Sequence, residues 1–422
     1  MILRPNFLHI TSHMGRGAPI LIIRKILQII FGLITFAVVA RTLSKEHFAI
    51  YSLVFSFIAI LRLITFPGLG SATAQSFARG FGGSFKYAVK FSFLGSFLGA
   101  IVFLVISFWH FYIGKVETAQ AFIITAFCFP FATGLIFWRN AAVGEERYIR
   151  LLLFDVLSTG LKCGSIIICA YLFPANLPLI VTAALVAPAL INIFATWDQL
   201  KRIPSDAKIE RGSLRYGFHI TFYQLPTTLV QHLDKIILFY FISPTALAIY
   251  TVALRIPELI RTMVGEINAT LGPIFARENT YTSALHQFSL KLFFLYLFLS
   301  VLVAFFAVPY VLRILVGSSY MSSIRFAQFM TIGVALGFLG DIRFRYIRSH
   351  LHSKNFLRVA LSRALFDSLL IVMLVYCFGL KGAVVAYIIR NIAFSLITTA
   401  VMKFNYLGNQ KSNIYFSERN IL

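Results

Sequence analysis

Charge is what this sequence has least of. Only 13% of its 422 residues are Asp, Glu, Lys or Arg, where an ordinary soluble domain carries roughly 25%. Hydrophobic residues make up 59%, and Phe alone occurs 45 times. A soluble chain of this length has no interior large enough to hide that apolar surface. Acidic residues are scarcer still, 15 against 38 basic ones, for a formal charge of +23. That excess does not read as a nucleic-acid surface. The Lys and Arg residues lie between long apolar runs rather than on one polar face, so no nucleic-acid partner is expected. Cysteine is sparse. Cys128, Cys163, Cys169 and Cys377 all fall in apolar stretches and read as small buried hydrophobes, with no disulfide expected. No pair has metal-ligand spacing, so no metal site is expected. Also missing are a Gly-rich phosphate loop ending in Lys-Ser/Thr, an HExxH pair and a nucleophile elbow. His350 and His352 sit in a basic loop and read as solvated. No cofactor is expected beyond a possible coupling ion, H+ or Na+.

The apolar runs come at the length a bilayer demands, about 20 residues for a helix. Twelve are found, at 18–40, 47–66, 87–110, 119–138, 150–173, 177–197, 214–241, 246–270, 288–314, 322–342, 359–378 and 382–403. The first is too long for the roughly 7–15-residue apolar core of a signal peptide and reads as a retained span. Basic residues set the orientation. With the N-terminus inside, the inner segments hold Arg79, Lys86, Lys90, Arg139, Arg147, Lys201, Lys208 and Arg343, among others. The outer segments hold Arg41, Lys45, Lys115, Arg313 and Lys381. Both termini are therefore placed in the cytoplasm. The loops are short, the longest inner ones being 198–213 and 343–358, which leaves no room for a soluble catalytic domain. The sequence predicts an all-α polytopic membrane protein. It has a six-helix lobe over 1–200, a cytoplasmic linker over 201–213, a second six-helix lobe over 214–403, and a polar, partly disordered tail over 404–422.

The second lobe echoes the first. SKEHFAIY at Ser44–Tyr51 aligns with SPTALAIY at Ser243–Tyr250, and the same offset of 199 pairs Arg62 with Arg261. Phe77-Ala78-Arg79 aligns with Phe275-Ala276-Arg277, and Leu153-Phe154-Asp155 with Leu365-Phe366-Asp367. Six spans per half return the chain to the side it started from. The halves then share one topology, as in parallel-repeat transporters whose substrate sites lie between the repeats.

Several spans carry charge, which costs roughly 2.5–3.5 kcal/mol per residue at a helix centre and marks an interior or a watery cavity. In the eighth span Arg255, Glu258, Arg261 and Glu266 fall on one arc of roughly 140°. In the seventh, Gln224, Gln231 and Lys235 lie within about 40° of one another, with Asp234 beside them. Lys162 is near the middle of the fifth span and Arg390 lies within the twelfth. Arg24, Lys25, Arg62 and Asp155 are close enough to an interface to snorkel. Asp234 with Lys235, or Arg255 with Glu258, can equally form structural pairs. The candidate substrate-binding set is Arg24, Arg62, Lys162, Lys235, Arg255, Arg261 and Arg390. Candidates for ion coupling are Asp234, Glu258 and Glu266. Mostly basic deep residues suit an anionic substrate such as a phosphate or pyrophosphate.

Three stretches carry a family resemblance: ARTLSKEHFAIYSLVFSFIAILRL (Ala40–Leu63), LDKIILFYFISPTALAIYTVALRI (Leu233–Ile256) and FGLKGAVVAYIIRN (Phe378–Asn391). With them the chain resembles the polysaccharide flippases, the O-antigen and capsule repeat-unit translocases, of the multidrug/oligosaccharidyl-lipid/polysaccharide exporter superfamily. Pro244 and Thr245 depart from the acidic residues common in the family's second turn. The resemblance implies a MATE-like fold, two six-helix lobes around a central cavity opening alternately to either side. It also implies translocation of a polyprenyl-pyrophosphate-linked oligosaccharide across a bacterial inner membrane. Membrane lipids, a polysaccharide polymerase and chain-length machinery are the implied partners. The alternatives are a multidrug exporter of the same fold and a membrane-embedded polysaccharide polymerase or transferase. The short outer loops disfavour the enzyme, and the basic spans disfavour an exporter of cationic drugs.

Overall fold

A computed structural model describes the backbone of residues 7–210, 212–277, 283–349 and 353–418, and the side chains of 19–210, 212–265, 287–347 and 359–402. Helix dominates, and no strand occurs among the described residues. The first eight helices are α1 (Phe7–Thr42), α2 (Lys45–Leu61), α3 (Gly68–Ala78), α4 (Ser84–Tyr112), α5 (Val116–Thr133), α6 (Trp138–Gly144), α7 (Tyr148–Leu172) and α8 (Leu177–Arg202). There follow α9 (Ser213–Ile237), α10 (Pro244–Arg277), α11 (Ser283–Leu302), α12 (Val308–Val316), α13 (Ser322–Leu336), α14 (Phe338–Ser349) and α15 (Ser353–Glu418).

Nine stretches among the described residues are long and apolar enough to cross a bilayer. One of them, Val359–Met402, has 44 residues, about twice what one crossing needs. It is broken at Gly379, whose φ of 57° and ψ of −133° lie outside any helix. That φ favours glycine. At Gly382 a Cβ would come within 1.8 Å of the Leu374 carbonyl oxygen, so the turn of the FGLKG segment depends on both glycines. The helices α9 and α10 are less apolar, α9 through Gln224, Gln231, His232, Asp234 and Lys235 and α10 through Arg255, Glu258 and Arg261. Counting the broken stretch twice and including α9 and α10 gives the twelve spans expected from the sequence.

The contacts divide the chain into two compact units, Met1–Leu225 and Pro226–Leu422. This division falls inside α9 rather than in the 201–213 linker. The reason is local: the first turns of α9 pack on α3, where the Gly68 amide donates to Thr221 Oγ1 at 3.0 Å. In the first unit α1 packs on α7, α7 on α8, α8 on α5 and α5 on α4. In the second, α10 packs on α13, and α13 and α14 pack on α15.

The sequence echo is a structural one. Ser44 caps α2 by accepting from the His47 amide at 3.1 Å, and Ser243 caps α10 by accepting from the Ala246 amide at 3.1 Å. Each unit also breaks one span, at residues 134–137 between α5 and α6 and at Gly337 between α13 and α14. A break frees backbone groups that an apolar setting cannot leave unpaired. In the first unit Asn192 Nδ2 donates to the Ala132 carbonyl at 2.9 Å and Thr196 Oγ1 to that of Leu135 at 2.7 Å. In the second, Ser395 Oγ donates to the Leu336 carbonyl at 2.9 Å and accepts from the Gly340 amide at 3.1 Å. Thr196 and Ser395 are again 199 residues apart.

Two expectations need correction. Of the four free cysteines only Cys163 is buried, while Cys128 and Cys169 are half-buried and Cys377 is exposed. An apolar environment in such a chain includes the outer, lipid-facing surface as well as the core. The backbone beyond Lys403 is helical as far as Glu418, since no proline interrupts the run.

Candidate functional site

In the first unit the polar residues of the spans gather on one carboxylate. Asp155, in the second turn of α7, is 1% exposed. It accepts from Arg24 Nη1 on α1 at 2.7 Å, from Arg139 Nε on α6 at 2.6 Å and from Gln28 Nε2 at 3.3 Å. Two guanidiniums on one buried carboxylate leave one positive charge over. Arg24 thus holds α1 to α7. Sequence reasoning singled out Arg24 and Asp155, each as an anchor or a cavity residue, and counted Arg139 only as part of an inner loop. Lys162 extends from the middle of α7 over the Phe55 ring, 5.1 Å from its centroid, a cation–π contact.

In the second unit two carboxylates serve different groups. Asp234, also 1% exposed, accepts from the Tyr250 hydroxyl at 2.7 Å and from Arg390 Nη1 at 3.4 Å. Its sequence neighbour Lys235 turns instead to Glu258, at 3.4 Å. The adjacent Asp-Lys pair is therefore not a closed structural pair; each residue ties α9 to a different helix. Asp367 pairs with Arg363, one turn before it, at 3.4 Å. Asp367 and Arg363 line a cleft together with Thr227, Gln231, Arg261 and Arg390. The cleft encloses about 10 Å³, room for roughly a single water molecule. Three arginines around one carboxylate make it strongly cationic.

Arg261 stands apart from its neighbours. Among the described residues its guanidinium has no hydrogen-bond or ion-pair partner, and the same holds for the guanidinium of Arg62. The charged neighbour of Arg62 is another cation, Arg139. Each of these arginines lies eighteen residues beyond the serine that caps its helix, Ser44 or Ser243. The same register places an unneutralised guanidinium in each unit. Of the other predicted residues, Arg255 is half-buried on α10 and Glu258 is exposed beside Lys235, while the Glu266 side chain lies outside the described residues. The second-unit cluster brings together Lys235, Asp234, Glu258, Arg261 and Arg390 from the predicted set. Arg363, Tyr250 and Tyr387, whose ring lies 4.5 Å from the Arg390 guanidinium, were missed as site residues. The available signals were the Arg-x-x-x-Asp spacing ahead of the Leu-Phe-Asp echo and the tyrosine that ends the Ala-Ile-Tyr echo.

This arrangement of helices is similar to that of solved transporters. It matches an inward-facing multidrug resistance MATE family transporter of the MOP superfamily with a TM-score of 0.66 at 17% identity, covering 91% of this chain and 96% of that one. The outward-facing form of such a transporter gives 0.64 at 16%, with 94% and 95% covered. A MOP superfamily transporter from Pyrococcus furiosus, for which reversed polarity of the binding pocket suggests a different function, gives 0.65 at 18%, with 94% and 95% covered. At such identities the likeness is one of fold. No curated protein matches the sequence. The class defined by the fold and the charged spans is a multi-pass helical membrane protein with the architecture of MOP-superfamily transporters. Residues 14–279, more than half of the chain, match the family described as polysaccharide biosynthesis protein, and the chain belongs to that family.

Proposed function

We propose that the chain is a flippase that carries a polyprenyl-pyrophosphate-linked oligosaccharide across the bacterial inner membrane by alternating access, with both termini cytoplasmic. Family and fold together support a transporter working in polysaccharide assembly. The observation that carries the anionic substrate is the unpaired state of Arg62 and Arg261. A charge inside a span is costly, and Arg24, Arg139, Arg363 and Arg390 are each offset by a carboxylate. A guanidinium kept without one is poised for an anion that arrives and leaves, and its planar fork suits phosphate oxygens. Arg363 and Arg390 add to the field around Arg261. The cleft at Arg261 holds no more than a water in this conformation, so substrate entry requires it to open. For the Pyrococcus furiosus relative, reversed pocket polarity suggests a different function; by the same reasoning a cationic site argues here against cationic drugs. In this reading Asp234 and Glu258, which tie α9 to neighbouring helices, are where a proton or Na+ would couple to movement, and polymerase and chain-length proteins would take the product.

The test is a glycolipid translocation assay in vesicles. Arg62→Ala and Arg261→Ala are each expected to slow transport about tenfold or more, and the double variant to abolish it at normal protein level. Undiminished transport by the double variant would refute the pyrophosphate role. Export of a cationic dye, with no movement of glycolipid, would favour the drug-exporter reading.

A further inference from the structure

A second charged recess lies in the first unit, on the basic side of the membrane, where α7 begins and α8 ends. It is a groove of about 800 Å³. Its floor is apolar: Ile20, Ile149, Leu153 and Phe154. Its rim carries both signs, with Arg147, Arg150 and Arg202 beside Glu146 and Asp198.

The rim charges do not cancel in place. Arg147 is matched by Glu145 at 3.2 Å. Asp198 is shared by two guanidiniums, that of Arg150 at 2.6 Å and that of Arg202 at 3.1 Å, which leaves one positive charge over. Glu146 is exposed, and its carboxylate has no hydrogen bond or ion pair among the described residues. It sits on the left-handed residue (φ 59°) just ahead of α7. The rim is thus a dipole, an uncompensated cation at Arg150 and Arg202 and an uncompensated anion at Glu146.

The groove opens onto a surface made for hydrocarbon. Ile149, Leu153, Leu157 and Leu161 recur every fourth residue along one ridge of α7, and are 64%, 64%, 47% and 48% exposed. Leu190 and Phe194 are exposed on the neighbouring α8. Lys201 Nζ lies 3.5 Å from the Trp197 ring centroid, the kind of aromatic and basic pairing that sits at headgroup level. A ligand here needs a chain for the ridge and a head bearing one charge of each sign.

We propose that this groove seats a phospholipid with an amine headgroup, phosphatidylethanolamine. Its phosphate rests on Arg150 and Arg202, its ammonium faces Glu146, and an acyl chain lies along the α7 ridge. A headgroup with net negative charge would place its excess against Glu146. Free phosphate would leave the apolar floor in water. The proposal is independent of what the protein transports.

The test is native mass spectrometry of the full chain in detergent, titrated with palmitoyl-oleoyl phosphatidylethanolamine, phosphatidylcholine or phosphatidylglycerol. Phosphatidylethanolamine is expected to be retained about tenfold more strongly than phosphatidylglycerol. Phosphatidylcholine, which keeps the cation and loses the N–H donors, should fall between them. Glu146→Gln should abolish the preference for phosphatidylethanolamine over phosphatidylglycerol, and being exposed and unpaired it should leave thermal unfolding unchanged. Arg202→Gln should weaken both lipids alike. Phosphatidylglycerol bound as well as phosphatidylethanolamine, or a preference that survives Glu146→Gln, would overturn the proposal. So would a dimer peak that displaces the lipid, which would assign the groove to a second copy of the chain.

Discussion

The two units share a repeat but treat buried charge differently. In the first, the polar residues converge on Asp155, which holds α1, α6 and α7 together. In the second, charge is spread over Asp234, Glu258 and Asp367, and the cationic cleft lies next to the last of these. The repeat makes the contrast sharper. At the offset of 199, Asp234 and Lys235 in the second unit stand where the first has Thr35 and Phe36. The first unit has thus gathered its spans on one carboxylate that faces two guanidiniums, while the second distributes its carboxylates over one-to-one pairs. Each nevertheless keeps at the same register an arginine, Arg62 or Arg261, whose guanidinium has no partner among the described residues.

The most forceful way to break this comparison is to remove the hub. Asp155→Ala leaves Arg24 and Arg139 facing each other without a counter-charge. Loss of one partner from a buried ion pair costs about 3–5 kcal/mol. Thermal unfolding in detergent should show a large drop in midpoint for Asp155→Ala, and a clearly smaller one for Asp367→Ala, whose partner Arg363 is on the same helix. Equal drops would mean that the units do not divide the labour in this way.

A smaller effect is expected at Tyr250→Phe. The hydroxyl donates to a carboxylate, and a hydrogen bond to a charged group is worth about 1.5–3 kcal/mol. Arg390 alone would then neutralise Asp234. Stability should fall by about that amount, whereas Tyr51→Phe, its echo in the first unit, should cost less because Thr35 offers no charge there. Ser395→Ala comes next, at about 1 kcal/mol. It frees the Leu336 carbonyl and the Gly340 amide at the break between α13 and α14. Thr196→Ala should match it, and a mismatch would show that the two breaks are not equivalent.

Much of this fold was legible in the sequence because a bilayer reduces the problem to the length and polarity of apolar runs. The interruptions inside spans were not legible. Nothing in the residues around Gly134 or Gly337 separates a helix break from an ordinary glycine; what permits the break is Asn192, Thr196 or Ser395, on a helix many residues away. The site was half legible. Basic residues in a span announce themselves, and so did Arg261 and Arg390. Pairing does not, because it depends on which helix faces which. Asp234 could not be assigned to Arg390 rather than Lys235 from spacing, nor Arg139 drawn out of its loop to Asp155. The unpaired state of Arg62 and Arg261 is visible only once every other pairing is known.

The smallest expected effect is at the linker, on the first unit. The Glu210 carboxylate accepts from Ser76 Oγ at 2.6 Å and is paired with Arg79, while its amide donates to Ser84 Oγ at 2.9 Å. The Ser76 hydroxyl and the Arg79 guanidinium together hold the Glu210 carboxyl below its usual range. A carboxyl depressed in the folded state stabilises it above the unfolded value, about 4.3, and that contribution is lost as pH falls through the lower folded value. Glu210→Gln should therefore cost a few tenths of a kcal/mol at neutral pH, the scale of a partly exposed pair. It should also flatten the acid limb of the stability curve below about pH 4.5. Proteolysis of the 203–212 segment gives a local readout: in the wild type, cleavage should rise on acidification through that range, and in Glu210→Gln it should already be high at neutral pH. Arg277, the echo of Arg79, lies on the last turn of α10. If Arg277→Gln also changed linker proteolysis, the latch would not belong to the first unit alone.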